Sequence, residues 1–172
     1  METPNYSGFV ALTIRRAKDP SDTAFQAVMR RADNPNQCSA AWEFLVPFCD
    51  IVIERQRLAF ALVGAAIARA KPECDGFASI GQTLRSICGA DADALERESR
   101  RLRRLIACDT VEELIPVLRP ILNYIQSKGG AVGYERLLRD LLFWGEDTRI
   151  RWTRDFFRKS ADAASEKAGE AE

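Results

Sequence analysis

The sequence predicts an all-α fold, a compact bundle of about eight helices in two packed halves. Three observations predict it. No stretch of useful length alternates apolar and polar residues with the period of two that a half-buried strand needs. Apolar residues recur instead with a period of 3.6, segment after segment. Most prolines and glycines fall between those segments, where they act as stops. No internal repeat is present.

The first helix is expected from about Gly8 to Ala17, stopping before Asp19-Pro20. Ser21 or Asp22 suits the N-cap of a second, in which Phe25, Val28, Met29 and Ala32 share one face. Asn34-Pro35-Asn36 forces a loop, and a third helix from about Ser39 to Val46 ends near Pro47. The segment from about Ile53 to Ala70 is apolar nearly all round between Leu58 and Ala68, the pattern of a helix enclosed by others. Lys71-Pro72 closes it. A further helix is expected over Phe77–Cys88, stopped by Gly89, and the next starts at Asp91 or Asp93 and reaches about Cys108. Asp109-Thr110 then caps a helix to about Gln126, with Glu112 and Glu113 well placed against the helix dipole. Pro116 and Pro120 threaten a kink or early break in it. Gly129-Gly130 separates a last pair, about Tyr134–Trp144 and Thr148–Lys159, the first with Leu137, Leu138, Leu141 and Leu142 at helical spacing. Residues 8–89 are thus expected to form an N-terminal helical half and 91–159 a C-terminal half. From 160 to 172 the chain has no apolar face and is expected to be a disordered acidic tail.

The composition narrows the chemistry. Leu, Ile, Val and Phe make up a quarter of the 172 residues, enough for a folded interior. No histidine is present, which removes His-based acid–base catalysis, Ser-His and Cys-His nucleophile pairs, and His-ligated metals. The five cysteines, Cys38, Cys49, Cys74, Cys88 and Cys108, contain no C-x-x-C pair and are odd in number. That suggests neither a zinc site nor a disulfide framework, but free thiols in a reducing cytoplasm. The opening residues lack the basic-then-apolar layout of a secretory leader. The longest apolar run, Leu58–Ala68, has 11 residues, short of the roughly 18 that a membrane helix requires. The carboxylates show no catalytic spacing and no Gly-rich phosphate loop is present, so no enzyme is expected and no metal or cofactor.

Charge is where function points. The 25 cationic residues balance the 25 acidic ones, but only five are lysines; the rest are arginines, whose planar forks suit phosphate. A GC-rich genome accounts for the same bias. Asp162, Glu166, Glu170 and Glu172 oppose Lys167 alone in the tail, which leaves the body mildly basic. Five arginines, Arg97, Arg100, Arg101, Arg103 and Arg104, fall within eight residues. On a helix Arg97, Arg100, Arg101 and Arg104 span an arc of roughly 100°, opposite Leu95, Leu102 and Ile106. Such a stripe can reach successive phosphates of a polyanion. The bland alternative is internal bracing, since Asp93–Arg97 and Glu96–Arg100 are i,i+4 pairs; Arg101 and Arg104 have no acid at i−4. Arg30-Arg31 close the second helix, where cations also favour the helix C-terminus. Arg151, Arg154 and Arg158 form a third stripe that Asp147 and Asp155 partly neutralise. Trp144, Trp152, Phe156 and Phe157 beside them read as core or subunit contact before base stacking, as do Trp42, Phe44 and Phe48.

Taken together these segments resemble the CasB family, the small subunit of the type I-E CRISPR Cascade complex. The matching blocks are Asp22-Thr-Ala-Phe-Gln-Ala-Val-Met-Arg30-Arg31, Ala41-Trp-Glu-Phe-Leu-Val-Pro47-Phe48, the apolar helix, and Arg100-Arg101-Leu-Arg-Arg104-Leu-Ile-Ala-Cys-Asp109 leading into Leu118-Arg119. Tyr134-Glu-Arg-Leu-Leu-Arg-Asp140-Leu-Leu-Phe-Trp144 and Trp152-Thr-Arg154-Asp155-Phe156-Phe157 continue it, over about residues 8 to 158. The resemblance implies a non-catalytic subunit present as two copies beside the backbone subunits that hold the guide RNA. It further implies that the chain helps hold opened R-loop DNA, above all the displaced single strand. It carries the backbone-contact role onto Arg30, Arg31, Arg100, Arg101, Arg104 and Arg119, with Arg154 added. A helical protein–protein adaptor with no direct nucleic-acid contact is the alternative. A helix-turn-helix regulator is disfavoured because no pair of short helices joined by a tight Gly turn presents a polar recognition face.

Overall fold

The computed structural model describes residues 4–158, so the expected acidic tail and the last residue of the final expected helix lie outside the described residues. Within them the chain forms nine α-helices and one 3₁₀ turn. Helix α1 (Tyr6–Lys18) starts where the Asn5 side chain accepts the amide of Gly8, and α2 (Thr23–Met29) follows one tight turn later. Asp22 flanks α2 and accepts from Arg16, and that hydrogen bond holds its carboxyl below the ordinary 3.8. The same guanidinium lies over the rings of Phe25 and Phe44, which pins α1, α2 and the third helix together. That third helix is shorter than expected: a 3₁₀ turn (Cys38–Ala41) runs into a single α-turn, α3 (Trp42–Leu45).

Helix α4 (Glu54–Ala70) is the expected central helix. Every residue from Ala59 to Ala68 is buried, and α1, α2, α7 (Val111–Ser127) and α8 (Tyr134–Leu142) all pack on it. Gly64 lets that happen: a Cβ there would stand 2.6 Å from Met29 Sδ and 3.0 Å from Phe9 Cζ. The helix ends at Lys71, the one non-glycine residue with positive φ among the described residues.

Helix α5 (Ile80–Cys88) begins three residues later than expected. Ser79 and Gln82 form a reciprocal capping box, which halts the helix at Ile80 and leaves Phe77 outside it, 93% exposed. Helix α6 (Ala92–Ile106) is capped by Asp91, and α7 by Thr110. Pro116 and Pro120 do not break α7. Both are exposed and four residues apart, so they share the solvent face, where water can satisfy the carbonyls that lose an amide partner. After α8, Trp144 turns inward and donates its indole N–H to the Cys108 carbonyl, and α9 (Glu146–Phe157) follows. Helix α9 lies tightly against α5, and one continuous core joins Phe9 and Phe60 at one end to Trp152 and Phe156 at the other.

Cys49, Cys88 and Cys108 are buried and Cys74 is exposed; all five thiols are free. Burial pushes the Cys49 thiol up to about 12, which makes it inert as a nucleophile. Among the described residues no group of three or more potential ligands is placed to hold a metal. No described helix is long and apolar enough to cross a membrane.

Candidate nucleic-acid interface

The arginine-rich helix α6 has the two faces its sequence predicts, with one exchange. Leu102 and Leu105 are fully buried, Leu95 and Ile106 partly so, and Arg97, Arg100, Arg103 and Arg104 are exposed. Arg101 belongs to neither face. Its Nη1 donates to Glu98 Oε1, its guanidinium lies 3.9 Å from the centre of the Tyr124 ring, and the Tyr124 hydroxyl donates to the same oxygen at 2.8 Å. Glu98 is buried beneath this stack. The acid that engages Arg101 stands three residues before it, so a search at i−4 alone passes over it. Arg101 is therefore the joint between α6 and α7.

The exposed members are loosely held. Arg100 Nε lies 3.1 Å from Glu96, Arg103 shares that carboxylate at 3.8 Å, and Arg97 reaches Asp91 at 3.5 Å in place of the expected Asp93. Arg104 makes no ion pair with a described residue. The side chains of Arg100 and Arg103 are 71% and 61% exposed, and pairs of that kind contribute only tenths of a kcal/mol, about 0.2–1. The acids Asp91, Asp93 and Glu96 lie at the N-cap and in the first half of α6, and Arg100, Arg103 and Arg104 in the second half. Positive charge therefore concentrates around Arg100, Arg103 and Arg104.

Arg69 and Arg119, distant in sequence, meet at Asp33, whose side chain is only 5% exposed, and the Arg30 backbone adjoins them. Arg69, which sequence reasoning passed over, makes the closest contact: Nη1 and Nη2 donate to the two carboxylate oxygens at 3.1 and 2.8 Å, and Nη1 also donates to the Arg30 carbonyl. Arg119 Nε lies 3.2 Å from Asp33 Oδ2 but at an angle that makes no hydrogen bond, so that contact is electrostatic. Arg30 Nε donates to the Ala68 carbonyl at the end of α4. Two arginines on one carboxylate, with the exposed Arg30 beside Arg69, leave a net positive surface. Arg69 was legible only as a cation in the last turn of a helix read wholly as core. Arg31 stands apart, exposed beside a shallow recess lined by Ala27, Val28 and Gln37.

This geometry separates the two arginines that converge on Asp33. Arg69→Ala removes both hydrogen bonds to a buried carboxylate and is expected to cost about 2 kcal/mol, a fall in Tm of roughly 4–8 °C. Arg119→Ala removes one off-angle contact and is expected to cost less than about 1 kcal/mol. Thermal melts of the two variants check the order; equal losses would contradict the assignment of Arg69 as the main partner.

In the C-terminal pair Arg154 is exposed, with Asp155 at 3.6 Å, and Arg158 is exposed as well. Arg151 is bound inward to Asp140, which also accepts the Trp152 indole N–H at 2.6 Å. Arg136, another residue that sequence reasoning did not single out, is tied to Asp155 at 2.9 Å. Trp144 and Trp152 pack edge to face with centroids 5.0 Å apart, both buried with Phe156. Those aromatics are core, as weighed from the sequence. Phe157 and Trp42 remain exposed.

The fold is shared with known structures. CasB from Thermus thermophilus matches with a TM-score of 0.69 and 21% identity, over 90% of this chain and 99% of that one. A Cse2-family CRISPR-associated protein from the same organism matches to the same extent. A chain of a CRISPR RNA-guided surveillance complex matches with a TM-score of 0.75 and 21% identity, over 95% of this chain and 96% of that one. No curated protein matches. CasB and Cse2 name one family, so the likeness read from the sequence is borne out. The model of that family, CRISPR-associated protein Cse2, matches residues 26–157, a span that holds every arginine to which the resemblance assigns a backbone contact, and the chain belongs to the Cse2 family.

Proposed function

We propose that this protein is a non-catalytic structural subunit of an RNA-guided CRISPR surveillance complex of the type I-E Cascade kind. It binds nucleic-acid backbone and stabilises the R-loop, above all the displaced single strand. The observation that carries the reading is the concentration of exposed, weakly paired guanidinium groups at the C-terminal half of α6, with Arg30, Arg31, Arg119 and Arg154 as further backbone contacts. Membership of the Cse2 family and the likeness to a chain of a surveillance complex support it.

The physics suits the task. Exchanging DNA–DNA for RNA–DNA base pairs is close to balanced, so contacts to the freed strand can decide whether the loop stays open. Base pairing with the guide reads the sequence, which leaves this subunit to grip phosphates. Its partners in this reading are the subunits that hold the guide RNA, a second copy of itself, the guide RNA and single-stranded DNA. With a formal charge of zero over the whole chain, the isolated protein is a weak binder, and affinity arises from linkage within the assembly.

A second reading, a helical adaptor that contacts only protein, draws on the exposed Phe77, Phe143, Ile150 and Phe157. Assembly and loop stability tell the two apart. A complex reconstituted with Arg100→Glu/Arg104→Glu is expected to assemble normally but to lose permanganate reactivity of thymines in the displaced strand. Failure of assembly, with the subunit still folded, would favour the adaptor.

A further inference from the structure

Between the C-terminal ends of α4 and α7 and the loop entering α8 lies a cavity of about 330 Å³ that the backbone contacts above do not use. Its size is at the lower end of small-ligand sites, about 300–1,000 Å³. Ala66, Ala70, Leu122, Ile125 and Val132 make its walls mostly apolar. Tyr134 lines it too, its ring buried and its hydroxyl bonded to no described residue. Burial and the nearby Asp75 push that hydroxyl up to about 12, so at neutral pH it stays an O–H that both donates and accepts. Asn123 and Gln126 present amides to the same space; only the Gln126 Nε2 has a partner, the Arg69 carbonyl.

The cavity sits beside the arginine cluster around Asp33. Arg69 adjoins Ala70 on α4, and Arg119 is one turn before Asn123 on α7. Arg119 turns only its Nε toward Asp33, and its two terminal amino groups bond to no described residue. An aliphatic side chain would satisfy the walls but leave the tyrosine hydroxyl unpaired in a buried place, which is costly. A bare anion would satisfy Arg119 and ignore the walls. A planar heterocycle with a hydrogen-bonding edge, joined to a phosphate, suits both.

We infer that this cavity is a nucleotide site: one base enters it against Tyr134, and its phosphate is held by Arg119. The inference rests on the nucleic-acid reading above and deepens it, because that reading needs no base contact. The ligand is either a nucleotide within a strand or a free nucleotide.

The test uses the full chain at low salt with three probes: single-stranded oligodeoxyadenylate, an abasic strand with the same number of phosphates, and dAMP. The adenylate strand is expected to bind about tenfold more tightly than the abasic one. Ala70→Phe, which fills the cavity, is expected to abolish that ratio, and Tyr134→Phe to reduce it, both without changing affinity for the abasic strand. Tyr134→Phe keeps the ring and serves if Ala70→Phe fails to fold. Where the ratio is seen, saturable dAMP binding that Ala70→Phe removes extends the site to free nucleotides, and no dAMP binding assigns it to bases within a strand. Equal affinity for the two strands, or a ratio that neither variant changes, overturns the nucleotide site and leaves the backbone reading standing. If neither strand binds, the backbone reading itself fails, and the dAMP titration alone decides the cavity: binding lost in Ala70→Phe supports it and no binding overturns it.

Discussion

Arg100→Glu/Arg104→Glu is expected to weaken single-stranded DNA binding by the isolated protein at least about tenfold near 50 mM salt, and to flatten its salt dependence. Each phosphate contact on a single strand contributes about 0.7 to the slope of log K against log salt, so losing two removes roughly 1.4. Both side chains are exposed, and Arg100 has only the solvent-facing pair with Glu96 to lose. Tm is therefore expected to move by less than about 2 °C. Fluorescence anisotropy across several salt concentrations reads both quantities. A slope identical to that of the wild type would remove the second half of α6 from the interface. Arg101 is the wrong residue for this test. Glutamate there would face the buried Glu98 without its guanidinium, and lost binding would then report a damaged α6–α7 joint.

The largest stability effect is expected at Gly81. Exposed helical glycine replaced by alanine ordinarily gains about 1 kcal/mol. Here the sign is expected to reverse. A Cβ at Gly81 would stand 2.1 Å from the Trp152 carbonyl oxygen and 3.0 Å from its carbon, both of them backbone atoms that no rotamer change can move. Helices α5 and α9 would have to separate, opening the packing around Trp152 and loosening the hydrogen bond from Ser79 Oγ to Asp155 at 2.7 Å. The expected cost of Gly81→Ala is about 3 kcal/mol, or roughly 6–12 °C in Tm. Chemical denaturation measures it, and a stabilised variant would show that the α5–α9 contact is looser than described.

Helices that carry their own punctuation were legible to within a few residues. Asp91 and Thr110 cap locally, the all-round apolar run of α4 marks it as enclosed, and the apolar periods of α6 and α8 name their buried faces. The misses are also physical. At Phe77 the apolar run continues, yet the capping box at Ser79–Gln82 starts the helix later. At Pro116 and Pro120 the residue type argues for a break, but whether a lost amide matters depends on whether its carbonyl meets water or protein. The α6 stripe was read correctly as a stripe, and the place of Arg101 within it was not, because Tyr124 completes that contact from another helix.

By itself the sequence determined the helical class, the central position of α4, the two-faced character of α6 and the membership of the family. Each follows from interactions between residues a few positions apart, or from blocks of neighbouring residues. Tertiary structure alone decided which arginines are free to meet a ligand. Asp33 takes both terminal amino groups of Arg69 but only the Nε of Arg119, and Arg101 is claimed by a glutamate and a tyrosine, while Arg100, Arg103 and Arg104 face solvent. A guanidinium's availability depends on the carboxylates and rings within about 4 Å of it, and in a helical bundle those neighbours are set by packing between helices.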